Sequence, residues 1–525
     1  MPTRRRVHRP LSFFVGLLAA VLIVPTIAFA ATPTSSLSAV NLAGSKLTQQ
    51  TTLLRYARDT WASFVAMTDP KSGLPADSLS SDGTTSVQTS TTNIGAYMWS
   101  TVVADQLGII SHDDAVKLLR RTLHSLETME RDRTIGADGK PSGQYYNWYD
   151  HTTGAKLTIW PPTGAPIGPH GPILSSVDNG WLATGLQVVA NSIPEVAQRA
   201  RALFDSMDFG FYYRPAVNRI EFYYAPADGY SECCYDTIVS ESRISSYIGI
   251  AMGEIPTKEY FGSWRTFPAT CDWSWQETQP VGFTRTYLGV SVFEGAYPYD
   301  GMRIVPGWGG SMFEALMPDL FVPEDQWGPN SWAINHPLTV AAQIHHGLVD
   351  ARYGYWGFSP SNTPEGGYAA YGVDAIGMNS NGYPSNEDNT FVDHGFGTCP
   401  DRPAVPDPKP KAYTNGVVTP HASFLAVRFA PDAALANLAK LERNFPIYDK
   451  WGFRDSVNVG TGRVSDSYLS LDQGIIMAAI GNALGNDMLR RAFATTQFQQ
   501  VLQPVISIEQ FNASAGDRVA PLVLP

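Results

Sequence analysis

The chain has 525 residues, with 48 acidic and 37 basic side chains and a net charge of −11. That balance argues against nucleic acid and against an anionic membrane surface as partners. Aromatic residues make up 12% of the chain, including 13 Trp and 24 Tyr, a content that fills a large core and also suits the flat C–H faces of sugars.

Residues 1–30 read as a secretory leader. Arg4, Arg5, Arg6 and Arg9 form a basic start, LSFFVGLLAAVLIV an apolar run, and Ala28-Phe29-Ala30 a small-residue cleavage site. Removing four arginines and no acidic residue takes the net charge from −11 to −15. The protein is therefore expected to be secreted to the extracellular side. No later segment is long and apolar enough for a membrane anchor. Residues 31–45, rich in Ser, Thr and Ala, read as a linker, and residues 46–525 as a single domain.

Helical spacing then dominates. Leu53, Leu54, Ala57, Trp61 and Phe64 form one apolar stripe, and Val116, Leu119, Leu123 and Leu126 another. Further helices are predicted near 93–107, 178–191, 195–207, 236–252, 311–320, 337–349, 420–429, 432–444, 468–483 and 486–497. Strand-like alternation is scarce, and NRIEFYYA (218–225) is the best candidate for a small hairpin. Four cysteines follow the leader. Cys233 and Cys234 are adjacent and are expected to bridge Cys271 and Cys399 rather than each other. About twelve helices, several of them apolar all round, predict two concentric rings. The fold class is all-α, an (α/α)6 toroid whose long loops form a groove at one end. The segment 357–416 holds no predicted helix and is assigned to that rim.

The helix predicted over 236–252 carries two ionisable groups, Glu241 and Arg243, without a wet face. Burying an unpaired charge is costly, so each needs a partner or a polar cavity. A structural ion pair with another helix is the plain alternative. Other carboxylates stand at helix starts beside aromatics. Asp178, in SSVDNGWLATGL, can be read as an N-cap. Glu314, in WGGSMFEALMP, completes a capping box with Ser311. Asp472, in YLSLDQG, suits the positive end of a helix dipole. Asp150 lies in the aromatic loop YYNWYDH. Cleaving a glycosidic bond needs one protonated carboxyl to donate to the leaving oxygen and a second carboxylate to activate water or attack carbon. A buried apolar setting keeps a carboxyl protonated near neutral pH, which fits Glu241 to the acid role.

These stretches resemble the glycoamylase-like family, which includes bacterial endo-β-1,2-glucanases and the middle domain of cyclic β-1,2-glucan synthases. The resemblance rests on STTNIGAYMWSTVVADQLGII (90–110), GQYYNWYD (143–150), SSVDNGWLATGL (175–186), CYDTIVSESRISSYIGIAMGEIP (234–256), WGGSMFEALMPDLF (308–321), YWGFSPSNTPEGGYAAYGV (355–373) and SYLSLDQGIIMAAI (467–480). It implies the (α/α)6 toroid, glucan cleavage in an end groove, and Glu241 as general acid. Asp178 and Asp472 are candidates for the second carboxylate or for sugar contacts. Insertions at 134–142 and 164–172 and the loop 374–416 depart from the family pattern and remodel the rim.

The expectation is a secreted glycoside hydrolase acting on a neutral poly- or oligosaccharide, with β-1,2-glucan the leading substrate and endo action. Arabinan or another envelope glycan is the alternative substrate. A non-catalytic glycan-binding protein on the same toroid is the alternative class. A lyase acting on uronic acids would want a basic groove, which this acidic chain disfavours. Trp148, Tyr149, Asp150, Trp181, Arg243, Trp308, Glu314 and Trp356 are candidates for sugar contacts. No pair of His or Cys residues has metal-ligand spacing, so no metal or other cofactor is expected in catalysis. A structural calcium at the run Asn386 to Asn389 is allowed by its oxygen donors. A monomer is expected.

Overall fold

Helices α2 and α4 show how this sequence builds a ring. Fourteen of the sixteen residues of α2 (Thr91–Gln106) and fourteen of the seventeen of α4 (Ser176–Ser192) are buried. Such helices need neighbours on every side. Small residues let them approach: a Cβ added at Gly95 would meet Trp181 O at 2.3 Å, so α2 and α4 touch backbone to backbone. The computed structural model describes residues 35–161, 163–266, 279–378, 398–400, 402–403 and 416–516.

The remaining helices are α1 (Ser35–Met67), α3 (His112–Thr128), α5 (Ala197–Phe204), α6 (Arg243–Ala251), α7 (Met312–Leu316), α8 (Glu324–Trp327), α9 (Trp332–His345), α10 (Pro420–Leu425), α11 (Pro431–Asn444), α12 (Ser470–Leu484), α13 (Met488–Phe493) and α14 (Thr496–Ile506). Contacts divide the chain at Thr48, and the unit from Gln49 onward holds the elements described below. In that unit α2 packs on α4 and α12, α4 on α6, and α10 on α12 and α7. These six form the inner ring. The amphipathic α3 lies outside it and buries only Ala115, Val116, Leu119, Thr122, Leu123 and Leu126, one stripe at helical spacing. The (α/α)6 toroid expected from the sequence is the fold observed. No helix among the described residues is long and apolar enough to cross a membrane.

Several local expectations need correction. The segment 31–45 is not a linker from Ser35 onward, because α1 begins there. Once a helix is nucleated, extending it upstream through residues without proline costs little. The helix expected over 236–252 starts only at Arg243. Thr237 instead forms a parallel bridge with Trp264, and Ile238 N–H bonds Trp264 O at 2.9 Å. Ile238 and Val239 are thus apolar because they are buried, not because they are helical. The stretch 486–497 is divided between α13 and α14, and α14 runs on to Ile506.

Strands are more numerous than alternation suggested. Residues 218–225 contribute to two hairpins rather than one, Tyr213–Arg214 with Arg219–Ile220 and Tyr223–Ala225 with Gly229–Tyr230. A longer hairpin pairs Val281–Tyr287 with Val290–Tyr299. Its turn, Leu288-Gly289, has φ of 48° and 82°, the pair of positive values that suits the twist of two strands joined by two residues. Cys233 and Cys234 are bonded to each other, against the expectation from their adjacency, with Cys233 at φ 101°. Cys399 is disulfide-bonded as well.

Candidate active site

Two inner helices begin with the same device. Ser175 caps α4 by accepting the Asp178 N–H, and Ser311 caps α7 by accepting the Glu314 N–H. Asp178 is therefore not the N-cap that its position allowed. It is the third residue of the helix, and the serine leaves its carboxylate available. That carboxylate accepts Thr92 Oγ1–H at 2.6 Å and Asn147 Nδ2–H at 3.1 Å. Glu314 does not close a reciprocal capping box either. Its Oε2 accepts the backbone N–H of Glu241 at 2.7 Å.

Glu241 sits two residues before α6, in the turn Ser240-Glu241-Ser242. It is half-buried, as is Asp178, so both carboxyls keep some access to solvent. Trp181 Nε1–H donates to Glu241 Oε2 at 2.5 Å. Loss of hydration pushes the Glu241 carboxyl well above the usual range, and the neighbouring Glu314 and Asp178 charges push it further. Desolvation likewise raises Glu314 to about 7, against the hydrogen bonds from Glu241 N–H and Ser240. Desolvation also raises Asp178, opposed by Ser175 and Thr92. A cavity of about 150 Å³ opens beside Glu314, walled by Trp308, Pro360 and Tyr371 among others. Tyr235 completes this aromatic side, 5.9 Å from Trp308 and 4.6 Å from Phe222 between ring centroids.

Asp472 belongs to an adjoining acidic group that only the tertiary fold assembles. Strand Ser78–Ser80 pairs with Ser467–Leu469, and Ser470 N–H donates to Asp77 O at 2.8 Å. This brings Asp77 beside the start of α12. Desolvation pushes Asp77 to about 6, with Asp178 and Asp472 adding to the rise. Desolvation and the Asp472 charge push Asp455 well above its usual range. Asp472 itself is buried and paired with His421 Nδ1 at 3.1 Å. Asp77, Asp455, His421 and Tyr235 were missed in the sequence. Asp77 and Asp455 lie in loops without a motif, and the strand pairing that joins their loops spans most of the chain.

Most other candidates are engaged away from the Glu241 carboxyl. Arg243 faces away from it: Nη1 donates to Ser240 O and Glu314 O, Nη2 to Ala315 O, and both Nε and Nη2 to Glu324. It thereby links α6 to α7 and closes the inner ring, and it offers a sugar no free donor edge. Trp181 is fully buried against Trp99 and Phe321, and reaches the site only through its N–H to Glu241. Trp356 is 2% exposed and packs in the core, where its backbone is held by Asn437. Tyr149 is buried, and its hydroxyl donates to Glu130 O at 2.6 Å. Asp150 accepts the N–H groups of Thr152 and Thr153, a turn role. Trp148 is half-buried and packs on Trp160 at 5.4 Å. Asp319, Glu324 and His336 come together with ligand-like spacing, but Arg243 and Arg490 already engage the two carboxylates. The calcium expectation at Asn386 to Asn389 lies outside the described residues.

Residues 283–497 match the Glycoamylase family model, and residues 55–211 match a protein family of unknown function. The chain is 30% identical over 312 residues to the cyclic β-(1,2)-glucan synthase NdvB of Rhizobium meliloti (strain 1021). That match covers 56% of this chain and spans only 9% of the length of NdvB. The endo-β-1,2-glucanase of Chitinophaga pinensis, solved with sophorotriose and glucose, superposes with a TM-score of 0.60 at 16% identity, covering 87% of this chain and 98% of that one. A β-1,2-glucanase from Parabacteroides distasonis gives 0.62 at 15% identity, covering 88% and 60%. The endo-β-1,2-glucanase of Talaromyces funiculosus, in complex with β-1,2-glucan, gives 0.58 at 11% identity, covering 88% and 92%. The resemblance read from the sequence is thus found again by separate comparisons, and the structural likeness establishes the fold.

Proposed function

We propose that this protein hydrolyses a neutral glucan, with β-1,2-glucan as substrate and cleavage within the chain. The observation that carries this reading is the Glu241 carboxyl. It is half-buried, aimed by the Trp181 N–H, and kept protonated by lost hydration and by Glu314. A carboxyl in that state can give its proton to the oxygen of a departing sugar. Asp178 is the companion carboxylate. Its hydrogen bonds from Thr92 and Asn147 favour the charged form, and its charge acts on Glu241. It would activate the attacking water directly or through a sugar hydroxyl. Asp472 is the less suited candidate, since it is enclosed and engaged by His421. Half-buried Trp308 and the adjacent cavity offer an apolar wall for a sugar ring. The structural likeness to β-1,2-glucanases supports the linkage. The basic start and apolar run of residues 1–30 support secretion to the extracellular side.

The test is release of reducing ends from linear β-1,2-glucan by purified protein, beside β-1,3-glucan, β-1,4-glucan, arabinan and galactan. Early appearance of mid-length oligosaccharides from β-1,2-glucan is the expected result. Activity on another polymer alone would replace the linkage. Binding without cleavage of any polymer would replace the hydrolase with a glycan-binding protein.

A further inference from the structure

A second cavity, of about 430 Å³, lies among other elements than the carboxylate crevice. It is enclosed by the turn at 217–219, the segment 258–264 and the tip of the hairpin at 288–293. A cavity of this size is in the range that holds a small ligand. Its lining reverses the charge of the chain. Against 48 acidic and 37 basic residues overall, it presents, among the described residues, Arg219 and Lys258 and no carboxylate.

Arg219 is held in a particular way. Its Nε donates to Gly262 O at 2.8 Å, and its guanidinium lies over the Trp264 ring, 4.1 Å from the centroid. These two contacts fix the plane of the group and use one of its five N–H donors. Among the described residues no ion pair with a carboxylate satisfies the rest, and burial pulls its proton affinity down although Asp236 and Glu259 act on it electrostatically. A fixed, half-buried guanidinium with an open edge matches the two oxygens of a carboxylate or phosphate. Lys258 is exposed at the same cavity and supplies a second positive charge. Buried Phe261 and Val292, with half-buried Phe293, supply apolar surface beside the cations.

We infer that this cavity is a separate binding site for an anionic sugar: a hexose-sized body against Phe261, Val292 and Phe293, with its phosphate or carboxylate on Arg219 and Lys258. The inference is independent of the proposed hydrolysis. Calorimetric titration of the full protein at low ionic strength tests it, with glucose 6-phosphate, glucuronate, glucose and inorganic phosphate as probes. One or both anionic sugars should bind, with glucose weaker by about tenfold or more, since losing a charge-assisted contact costs at least that factor, and inorganic phosphate weaker because it lacks the sugar body that meets Phe261, Val292 and Phe293. Which of the two binds distinguishes a phosphate from a carboxylate source. Arg219→Gln and Lys258→Ala should each weaken binding while Glu241→Gln leaves it unchanged. Lys258 is solvent-exposed, so its variant remains informative should Arg219→Gln misfold. Binding of neither anionic sugar, or binding that survives Lys258→Ala at full strength, would overturn the site. Inorganic phosphate binding as tightly as glucose 6-phosphate would overturn its assignment to sugars.

Discussion

Glu241 and Glu324 are both glutamates shielded from bulk water near α6, yet their electrostatics run in opposite directions. Glu324 is fully buried and receives Arg243, His336 and the Tyr247 hydroxyl. Burial alone would raise it, but the Arg243 guanidinium wins and holds it at about 2. For Glu241 lost hydration wins: the neighbouring Glu314 carboxylate adds to the rise, and the Trp181 N–H and the Arg243 charge offset it only in part. Arg243 stands only two residues from Glu241 and is turned away from it. The orientation of that one guanidinium separates a strut of the ring from a carboxyl able to donate a proton. The two ionisable groups expected in one helix without a wet face are thereby separated: Arg243 begins α6 and is paired with Glu324 of α8, and Glu241, in the turn before it, is half-buried beside Glu314.

The largest expected effect breaks the chemical side of this contrast. Glu241→Gln keeps the hydrogen bond from Trp181 and removes the transferable proton. Turnover of the best glucan should fall by roughly two to four orders of magnitude, the usual contribution of a general acid. The melting temperature should stay at or above that of the parent. A variant with most of the parent's turnover would remove Glu241 from the acid role.

The structural side is broken at Arg243. Arg243→Met leaves Glu324 charged and buried with His336 and Tyr247 alone, and removes five hydrogen bonds to Ser240, Glu314, Ala315 and Glu324. Removing one partner of a buried pair costs about 3–5 kcal/mol. Denaturant melts should show a loss of that order. Adding Glu324→Gln should recover part of it, since the uncompensated charge is then gone. A loss confined to turnover, with stability intact, would place Arg243 on the substrate side instead.

The two tryptophans Trp308 and Trp356 sharpen the same contrast among aromatics. Trp356 is enclosed in the core, and truncating it to Ala should cost about 3–5 kcal/mol of stability. Trp308 is half-buried at the cavity beside Glu314, so its truncation should raise KM and lower the melting point less. Equal stability losses with unchanged KM in both variants would make Trp308 a core residue.

How far the sequence reached can be seen at particular residues. The inner helices announce themselves by apolar residues on every side, so α2, α4 and α12 were legible and with them the toroid. Glu241 was legible as a candidate because a charge in such surroundings needs a reason. The start of α6 was not, because Ile238 and Val239 look the same in a buried bridge as in a buried helix. The long hairpin at 281–299 was missed because its Leu288-Gly289 turn lacks the usual Asn-Gly or Asp-Gly signal. Asp77 and Asp455 were invisible, since only the pairing of 78–80 with 467–469 gathers them. Trp181 and Tyr149 were drawn to the sugar by their place in the sequence, whereas burial assigns Tyr149 to the scaffold and leaves Trp181 in touch through one N–H.

The smallest expected effect tests the coupling between Glu241 and Glu314. Glu314→Gln is nearly isosteric, and its side-chain carbonyl can still accept the Glu241 N–H, so the turn should hold. What disappears is a carboxylate whose charge helps to raise Glu241. The acid must be protonated to work, so activity falls as pH rises through the folded-state value of Glu241. Removing Glu314 lowers that value, and the alkaline limb of kcat against pH should move to lower pH while the acid limb stays in place. Stability gives an independent sign. Glu314 titrates at about 7 in the folded chain against 4.5 when exposed, so the folded state binds more protons between those values. Its contribution is fully present below pH 4.5 and is lost as pH rises through about 7. Glu314→Gln should therefore flatten the decline in melting temperature across that window. An alkaline limb that moves to higher pH, or a decline that steepens, would mean that Glu314 acts on Glu241 through geometry and not through charge.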